Sequence, residues 1–375
     1  MYITYFKTKN INHNSTELDY NNVLTQDFIP STVETFKLTL KIDNPTPRTQ
    51  LNTMLRHQIN NTALAIVHCR ERLMPFKDNY NTQYYSFQIP KRSGGMRTIY
   101  APNPEFKEVL TSVLDTLQTA SKCLPHTAAY AYVKNRSIKE ANALHQKNKS
   151  QWFLHLDLQD FFPNCTSERV FNTLRNIFPF YYLSSHHLAY LKEIIDICCL
   201  NGALPQGSPI SPWLSNLTMI PIDYAIHNFC MRNNPFNNHF TYTRYADDFT
   251  ISSKKQFNWQ SFIEYITPLL QPFNIKPSKT HYGSKAGSNW NLGLMLNKDN
   301  NITLGHDKKH KLNAMLNNFL RDFVNNNLWS KQATYVLQGN LSFLKHIEPE
   351  YYNYILQKYE QKHNTKYALA LKTIL

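Results

Sequence analysis

Two carboxylates stand side by side at Asp247 and Asp248, inside the run Thr243-Arg244-Tyr245-Ala246-Asp247-Asp248-Phe249-Thr250-Ile251-Ser252. The flanking residues favour strand, so the run predicts a hairpin whose tight tip pushes both acids out of a sheet. Adjacent carboxylates repel, and each is costly to desolvate unless a cation compensates. A third acid lies upstream in Gln151-Trp152-Phe153-Leu154-His155-Leu156-Asp157-Leu158. Its alternation puts Trp152, Leu154, Leu156 and Leu158 on one strand face, and Phe153, His155 and Asp157 on the other. Folded against the hairpin, Asp157, Asp247 and Asp248 would offer hard oxygen ligands to Mg²⁺ or Mn²⁺. Two such ions about 3.5–4 Å apart can activate an attacking hydroxyl and stabilise departing pyrophosphate, which is nucleotidyl transfer. A plain polar turn is the competing reading, since Asp is a common turn residue.

Chemistry on a triphosphate also needs cations and a rigid frame. Ser86 to Pro90 and Met96 to Tyr100 flank Ser93-Gly94-Gly95, a hairpin by its glycine tip. Lys91, Arg92 and Arg97 ride on it and could clamp a triphosphate, or stand as solvated surface charges. Leu204-Pro205-Gln206-Gly207-Ser208-Pro209 reads as a rigid loop before a helix with Ser211 as N-cap and Pro212 at its first helical position. Gly207 would let backbone approach a base pair, and Gln206 could hydrogen-bond near the sugar and template. Pro221 should end or kink that helix.

Four of these stretches, in order, carry a resemblance: Ile89 to Ile99, Asp157-Leu158-Gln159-Asp160-Phe161-Phe162, Leu204 to Pro212, and Tyr245-Ala246-Asp247-Asp248. The chain resembles the reverse transcriptases, and within them the bacterial retron-type enzymes, from about Tyr84 onward. The resemblance implies an α+β right-hand polymerase: fingers, a palm of antiparallel sheet and helices, and a helical thumb. It implies Arg97 as a triphosphate contact, Asp160 beside the phosphates, Phe162 as an aromatic gate against a 2′-hydroxyl, and Lys279 near the leaving pyrophosphate. Tyr130 to Ile138 is similar to a fingers segment along the template, where Tyr132, Lys134 and Arg136 could stack and pair with nucleic acid. Trp290 to Met295, with Gly293, resembles the hairpin under the primer end. Two departures are visible: His145 falls one place early in an Asn-Ala-x-x-His motif at Asn142, and Asn291-Leu292-Gly293 stands where Val-Thr-Gly is usual.

Composition agrees with a nucleic-acid partner. Against 26 Asp+Glu the 375 residues carry 40 Lys+Arg, a formal charge of +14, which suits a polyanion. Hydrophobic content of 42% supports real cores. No apolar run approaches the roughly 18 residues of a spanning helix, and the first residues lack a signal-peptide core. The 6 Cys (69, 123, 165, 198, 199, 230) form no C-x-x-C pair, so reduced, buried thiols in a cytoplasmic protein are expected.

The expected division is an N-terminal extension at 1–60, fingers and palm at 61–300, and a thumb at 301–375. Leu51, Met54, Leu55, Ile59 and Leu64 hint at a helix in the first part. Phe106, Val109, Leu110, Val113, Leu114 and Leu117 mark a core helix. Leu312, Met315, Leu316, Phe319, Leu320 and Phe323 mark another, with Lys308, Lys309 and Lys311 at its start to lie along a duplex; a further helical run extends from about Leu337 to Lys372. The expected partners are an RNA template, by resemblance a small non-coding RNA, deoxynucleoside triphosphates, a DNA product and an effector protein in phage defence, without a membrane. Alternatives are a group II intron enzyme, for which too little chain follows the thumb, a template-independent or protein-primed DNA-synthesising polymerase, and a catalytically silent RNA-binding scaffold.

Overall fold

The computed structural model describes residues 48–91, 94–231, 236, 238–284 and 291–375. The first 47 residues, Arg92 and Trp290 lie outside these, as does the side chain of Leu51. Helix α1 (Arg48–Leu73) runs unbroken through residues 60 and 61, so the expected boundary there falls inside one element. Strands β1 (Tyr84–Pro90) and β2 (Met96–Pro102) pair antiparallel as a separate ribbon. The Lys91 N–H donates to the Gly95 carbonyl at 2.9 Å, across two glycines at φ 86° and 78°, a region open to residues without a Cβ.

Helix α2 (Pro104–Ser121) starts where the Asn103 side chain accepts from the Phe106 N–H at 2.9 Å. It buries Phe106, Leu110, Val113 and Leu117, the stripe its spacing predicts. Helix α3 (Ile138–Lys147), capped by Ser137, leads into strand β3 (Trp152–Asp157). Helices α4 (Phe161–Asn164), α5 (Ser167–Leu174) and α6 (Ser185–Cys198) follow. Helix α1 packs on α2 and α6, and these neighbours choose its buried face: Thr62, Ala65, Ile66, Cys69 and Leu73. The expected stripe is elsewhere, with Met54 57% and Leu64 70% exposed.

Helix α7 (Ser211–Thr218) is preceded by Ile210 at the cap position, without a side-chain cap bond. Ser211 is therefore the first helical residue, not the N-cap, and its Oγ is buried without a partner. Helix α8 (Ile220–Met231) restarts after Met219 with Pro221 in its first turn, the break expected of a residue lacking an N–H. Strands β4 (Phe240–Tyr245) and β5 (Asp248–Ser253), helix α9 (Trp259–Leu270) and strand β6 (His281–Ser284) complete the palm. The sheet is antiparallel in the order β4-β5-β3-β6, so β3 lies inside it. One apolar core joins this sheet to α1, α2 and α5 to α9.

Strands β7 (Met295–Leu296) and β8 (Ile302–Thr303) form a small hairpin. After it come helices α10 (His306–Val324), α11 (Lys331–Ile347), α12 (Pro349–His363) and α13 (Tyr367–Ile374). The single run expected after Leu337 is thus three helices, broken before Pro349 and at Asn364, whose φ is 46°. Their separate core contains Leu294 and Leu304 beside Leu312, Leu316, Phe319 and Leu320. This core begins before residue 301.

Candidate active site

Register brings the three acids to one end of the sheet. Asp157 closes β3 opposite Asp248, which opens β5; such antiparallel partners have Cα atoms about 4.5–5.5 Å apart. The Leu158 N–H donates to the Asp247 carbonyl at 3.0 Å, tying the turn to the strand end. Ala246 sits at φ 57° in that turn, a left-handed backbone that a residue with a Cβ adopts only when its surroundings hold it. Asp157 is 4% exposed.

A lysine meets the acids from a fourth segment. The short turn Pro277–Lys279 is anchored by the Lys276 N–H to the Asp157 carbonyl at 2.8 Å, and the Lys279 ammonium donates to Asp157 Oδ2 at 2.5 Å. Withdrawal from water, then the charges of Asp247 and Asp157, push Asp248 up to about 7. Asp247 is raised too, first by withdrawal from water, although its own backbone N–H opposes that. Burial would lower Lys279, but its bond to Asp157 and the three negative charges outweigh this and raise it.

Among the described residues no three His, Cys, Asp or Glu side chains close around a single cation position. The acids instead stand as neighbours, one oxygen of Asp157 being taken by Lys279. The donor set nevertheless fits a hard divalent ion, because it is all carboxylate oxygen, and burial together with the neighbouring negative charges raises Asp248, which a cation would relieve.

The expected nucleotide contacts surround this end. Lys91 and Arg97 are exposed on the β1–β2 ribbon, and the charge of Arg97 acts on Asp247. The ribbon is pinned to the Gln206 loop by the Tyr100 N–H, which donates to the Gln206 carbonyl at 2.7 Å. Gly207, at φ 126°, lies so close that a Cβ would stand 2.6 Å from the Tyr100 carbonyl oxygen. Its close approach is therefore to the ribbon. Asp160 takes φ 47° at the start of α4 and is exposed. Phe161 is core, and Phe162 is half-buried against its edge with ring centroids 5.4 Å apart.

The expected nucleic-acid contacts divide. Tyr132 is 54% exposed and feels the charges of Asp247 and Arg97, so it stands near the acids; Lys134 is exposed. Arg136 turns inward, one nitrogen donating to the carbonyls of His126 and Ala129, both at 2.7 Å. That duty replaces the phosphate contact expected of it, since carbonyls inside a turn need donors. Lys308 donates to the Gly293 carbonyl at 2.8 Å, and Lys311 is exposed. Lys309 is spent on Glu348 at 2.8 Å and on the Tyr351 ring, so its charge serves thumb packing in place of the duplex contact expected.

Sequence reasoning missed Asp223, Asn216 and Arg244, which form a buried polar cluster behind the turn. A signal was available: Asp223 is the lone acid of an apolar helix, and Arg244 the lone cation of a buried strand. Each is rare without a partner.

A family model described as "Reverse transcriptase (RNA-dependent DNA polymerase)" matches residues 89–296. The chain is 30% identical over 286 residues to the retron Ec73 reverse transcriptase of Escherichia coli, covering 74% of this chain and 87% of that protein. It is 30% identical over 292 residues to the Escherichia coli retron Ec83 reverse transcriptase, with the same coverage. Among solved structures, telomerase from Candida albicans in complex with a fragment of telomeric RNA aligns over 81% of this chain and 65% of that one, with 12% identity and a TM-score of 0.37. Divalent-ion use is general in the matched family. With the match spanning more than half the chain and the motif acids gathered at one sheet end, the protein belongs to the reverse transcriptase family, of the retron type, and is an RNA-directed DNA polymerase.

Proposed function

We propose that this polymerase copies a small non-coding RNA into DNA, extending a 3′-hydroxyl or a priming 2′-hydroxyl by attack on the α-phosphate of a deoxynucleoside triphosphate. The observation that carries this is the β3–β5 register, which sets Asp157 against Asp248 with Asp247 tied to the same strand end. Asp157, Asp247 and Asp248 would hold two Mg²⁺, or Mn²⁺ in their place, and those ions would supply hydroxyl activation and neutralisation of the leaving pyrophosphate. Lys91 and Arg97 orient the triphosphate from the ribbon. Asp160 offers backbone beside the phosphates, Gln206 meets the sugar side, and Phe162 lies under the sugar as a gate. Lys279, already donating to Asp157, is placed to pass a proton toward the departing pyrophosphate. Positioning and charge do the catalysis, with no covalent intermediate needed.

On the nucleic-acid side, Tyr132 and Lys134 contact the template, Gly293 supports the primer end, and Lys308 and Lys311 follow the duplex. We extend the reading to a cytoplasmic role in phage defence with an effector protein. The six buried cysteines suit a reducing compartment. The test is to purify wild type and the double variant Asp247→Asn, Asp248→Asn from their host and sequence the attached nucleic acid. Wild type should carry one small RNA joined to or paired with DNA, and the variant the same RNA without DNA. DNA persisting on the variant, or a random RNA population on wild type, would overturn the proposal.

A further inference from the structure

Behind the catalytic turn, away from solvent, Arg244 is 1% and Asp223 0% exposed. Arg244 grips Asp223 with two nitrogens, Nε to Oδ1 at 2.8 Å and Nη2 to Oδ2 at 2.7 Å. Its remaining terminal nitrogen, Nη1, donates to the Ala246 carbonyl and to Asn216 Oδ1, both at 3.0 Å. The Tyr242 hydroxyl donates to Asp223 at 2.7 Å, and Asn216 Nδ2 donates to the Ala131 carbonyl at 2.8 Å. The cluster thus touches helices α7 and α8, the left-handed residue of the metal-binding turn, and the residue before Tyr132. Backbone bonds repeat the link: the Arg244 N–H donates to Ala128 at 2.7 Å and its carbonyl accepts from Tyr130 at 2.8 Å.

We propose that Arg244, Asp223 and Asn216 form one positioning unit that holds the Ala246 turn, and so Asp247 and Asp248, at a set distance from Tyr132. The unit rests on the assignment of those acids as metal ligands. A buried ion pair is poor at adding stability, and apolar residues of similar volume often replace one at little cost. Its geometry here explains retention differently. A planar guanidinium is the side chain able to fix a carboxylate on one edge and still donate to a backbone carbonyl on the other. An ammonium could reach both acceptors but could not hold the carboxylate in a two-pronged fork, so it would leave the angle between them free.

The test separates holding from stabilising. The variant Asp223→Leu, Arg244→Met, Tyr242→Phe removes the pair without stranding a charge or hydroxyl. It should stay cooperatively folded and keep its RNA affinity, although the Ala246 carbonyl and Asn216 Oδ1 lose their donor. Mn²⁺ binding without nucleotide, read by electron paramagnetic resonance, should weaken about tenfold, and kcat fall about tenfold to a hundredfold. A folded triple variant with wild-type Mn²⁺ binding and kcat overturns the inference. Should that variant fail to fold, Asn216→Ala decides: a several-fold loss in both readouts is expected, and wild-type values overturn it. Asp248→Asn serves as the control. If it binds Mn²⁺ as wild type does, the metal-ligand assignment fails, not the positioning unit.

Discussion

Phe161 and Phe162 are chemically alike and adjacent, yet one lies in the core and its neighbour leans half-buried against it. That division makes a specific expectation for the gate. Phe162→Ala should raise ribonucleotide use relative to deoxynucleotide by about tenfold or more, since a pocket that rejects an added hydroxyl by shape loses its discrimination with the ring. Competitive incorporation on one RNA template measures the ratio, and an unchanged ratio with retained activity would remove Phe162 from the sugar site. At this scale the sequence was legible where pattern leaves few options, as with the three acids that the strand register brings to one sheet end. It was not legible for Arg136 and Lys309. A cation beside aromatics reads as a phosphate contact until the fold shows the carbonyls of His126 and Ala129, or Glu348, waiting for it. Arg244 was hidden for the same reason, its carboxylate lying on a helix in another part of the chain.

Elements were readable where local pattern and burial agree. The Gly94-Gly95 tip, the α2 stripe, the α10 stripe and the break at Pro221 all follow from rules that act within a few residues. Helix α1 escaped because its buried face is chosen by α2 and α6, and Ser211 because a capping residue type does not ensure a cap. Gly207 joins two elements, which gives a sharp expectation. With φ 126° and the Tyr100 carbonyl in the way, Gly207→Ala must push the ribbon off the loop, at a strain of about 1–3 kcal/mol. Because the ribbon carries Arg97, kcat/KM for the nucleotide should drop about tenfold or more, while affinity for the RNA–DNA duplex holds. Wild-type nucleotide kinetics in that variant would separate the ribbon from triphosphate binding.

Helix α3 is fastened to the sheet through His145, whose ring lies between Ser252 at 2.6 Å and Thr243 at 2.8 Å. Burial pushes His145 down to about 3, and His126 and His155 down to about 4. The unfolded chain takes up these protons near pH 6.5, and the folded chain refuses them until about 4 or 3. The unfolded state therefore holds more protons in that window. Stability from each group is complete above about pH 6.5 and falls as pH drops, by about 1.4 kcal/mol per unit per histidine. Asp248 acts oppositely, being raised in the fold, so denaturant midpoints should be compared in Asp248→Asn. A steady decline from pH 7 to pH 4.5 is expected, and a flat profile would mean that the three rings are charged inside the fold.

Among the described residues there are two apolar cores, one under the palm sheet and one within the thumb; Asn291 accepts from the Thr250 hydroxyl of the sheet at 2.8 Å, and Leu294 belongs to the thumb core. The order of the four motifs foretold this plan, because each motif sits on an element whose partner is also a motif. The boundaries did not follow, since a helix crosses residue 60 and the thumb core recruits Leu294. Duplex binding should weaken with salt in proportion to the number of phosphates that the cations of the chain neutralise. Lys311→Gln should weaken binding of all duplex sequences alike and reduce the slope of log K against log salt by about one phosphate contact. Lys309→Gln should leave that slope unchanged and lower thumb stability, its ammonium being held by Glu348. Equal slopes for the wild type and Lys311→Gln would place the duplex elsewhere.

Asp157 offers the cleanest single trial, because it reaches the site from a different strand than the Asp247–Asp248 turn. Single-turnover addition of a deoxynucleotide to a DNA primer on an RNA template should fall at least a thousandfold in Asp157→Asn, with primer–template affinity within about threefold of wild type. Incorporation by Asp157→Asn at a rate near that of wild type would show that the three acids at the sheet end are not where the chemistry happens.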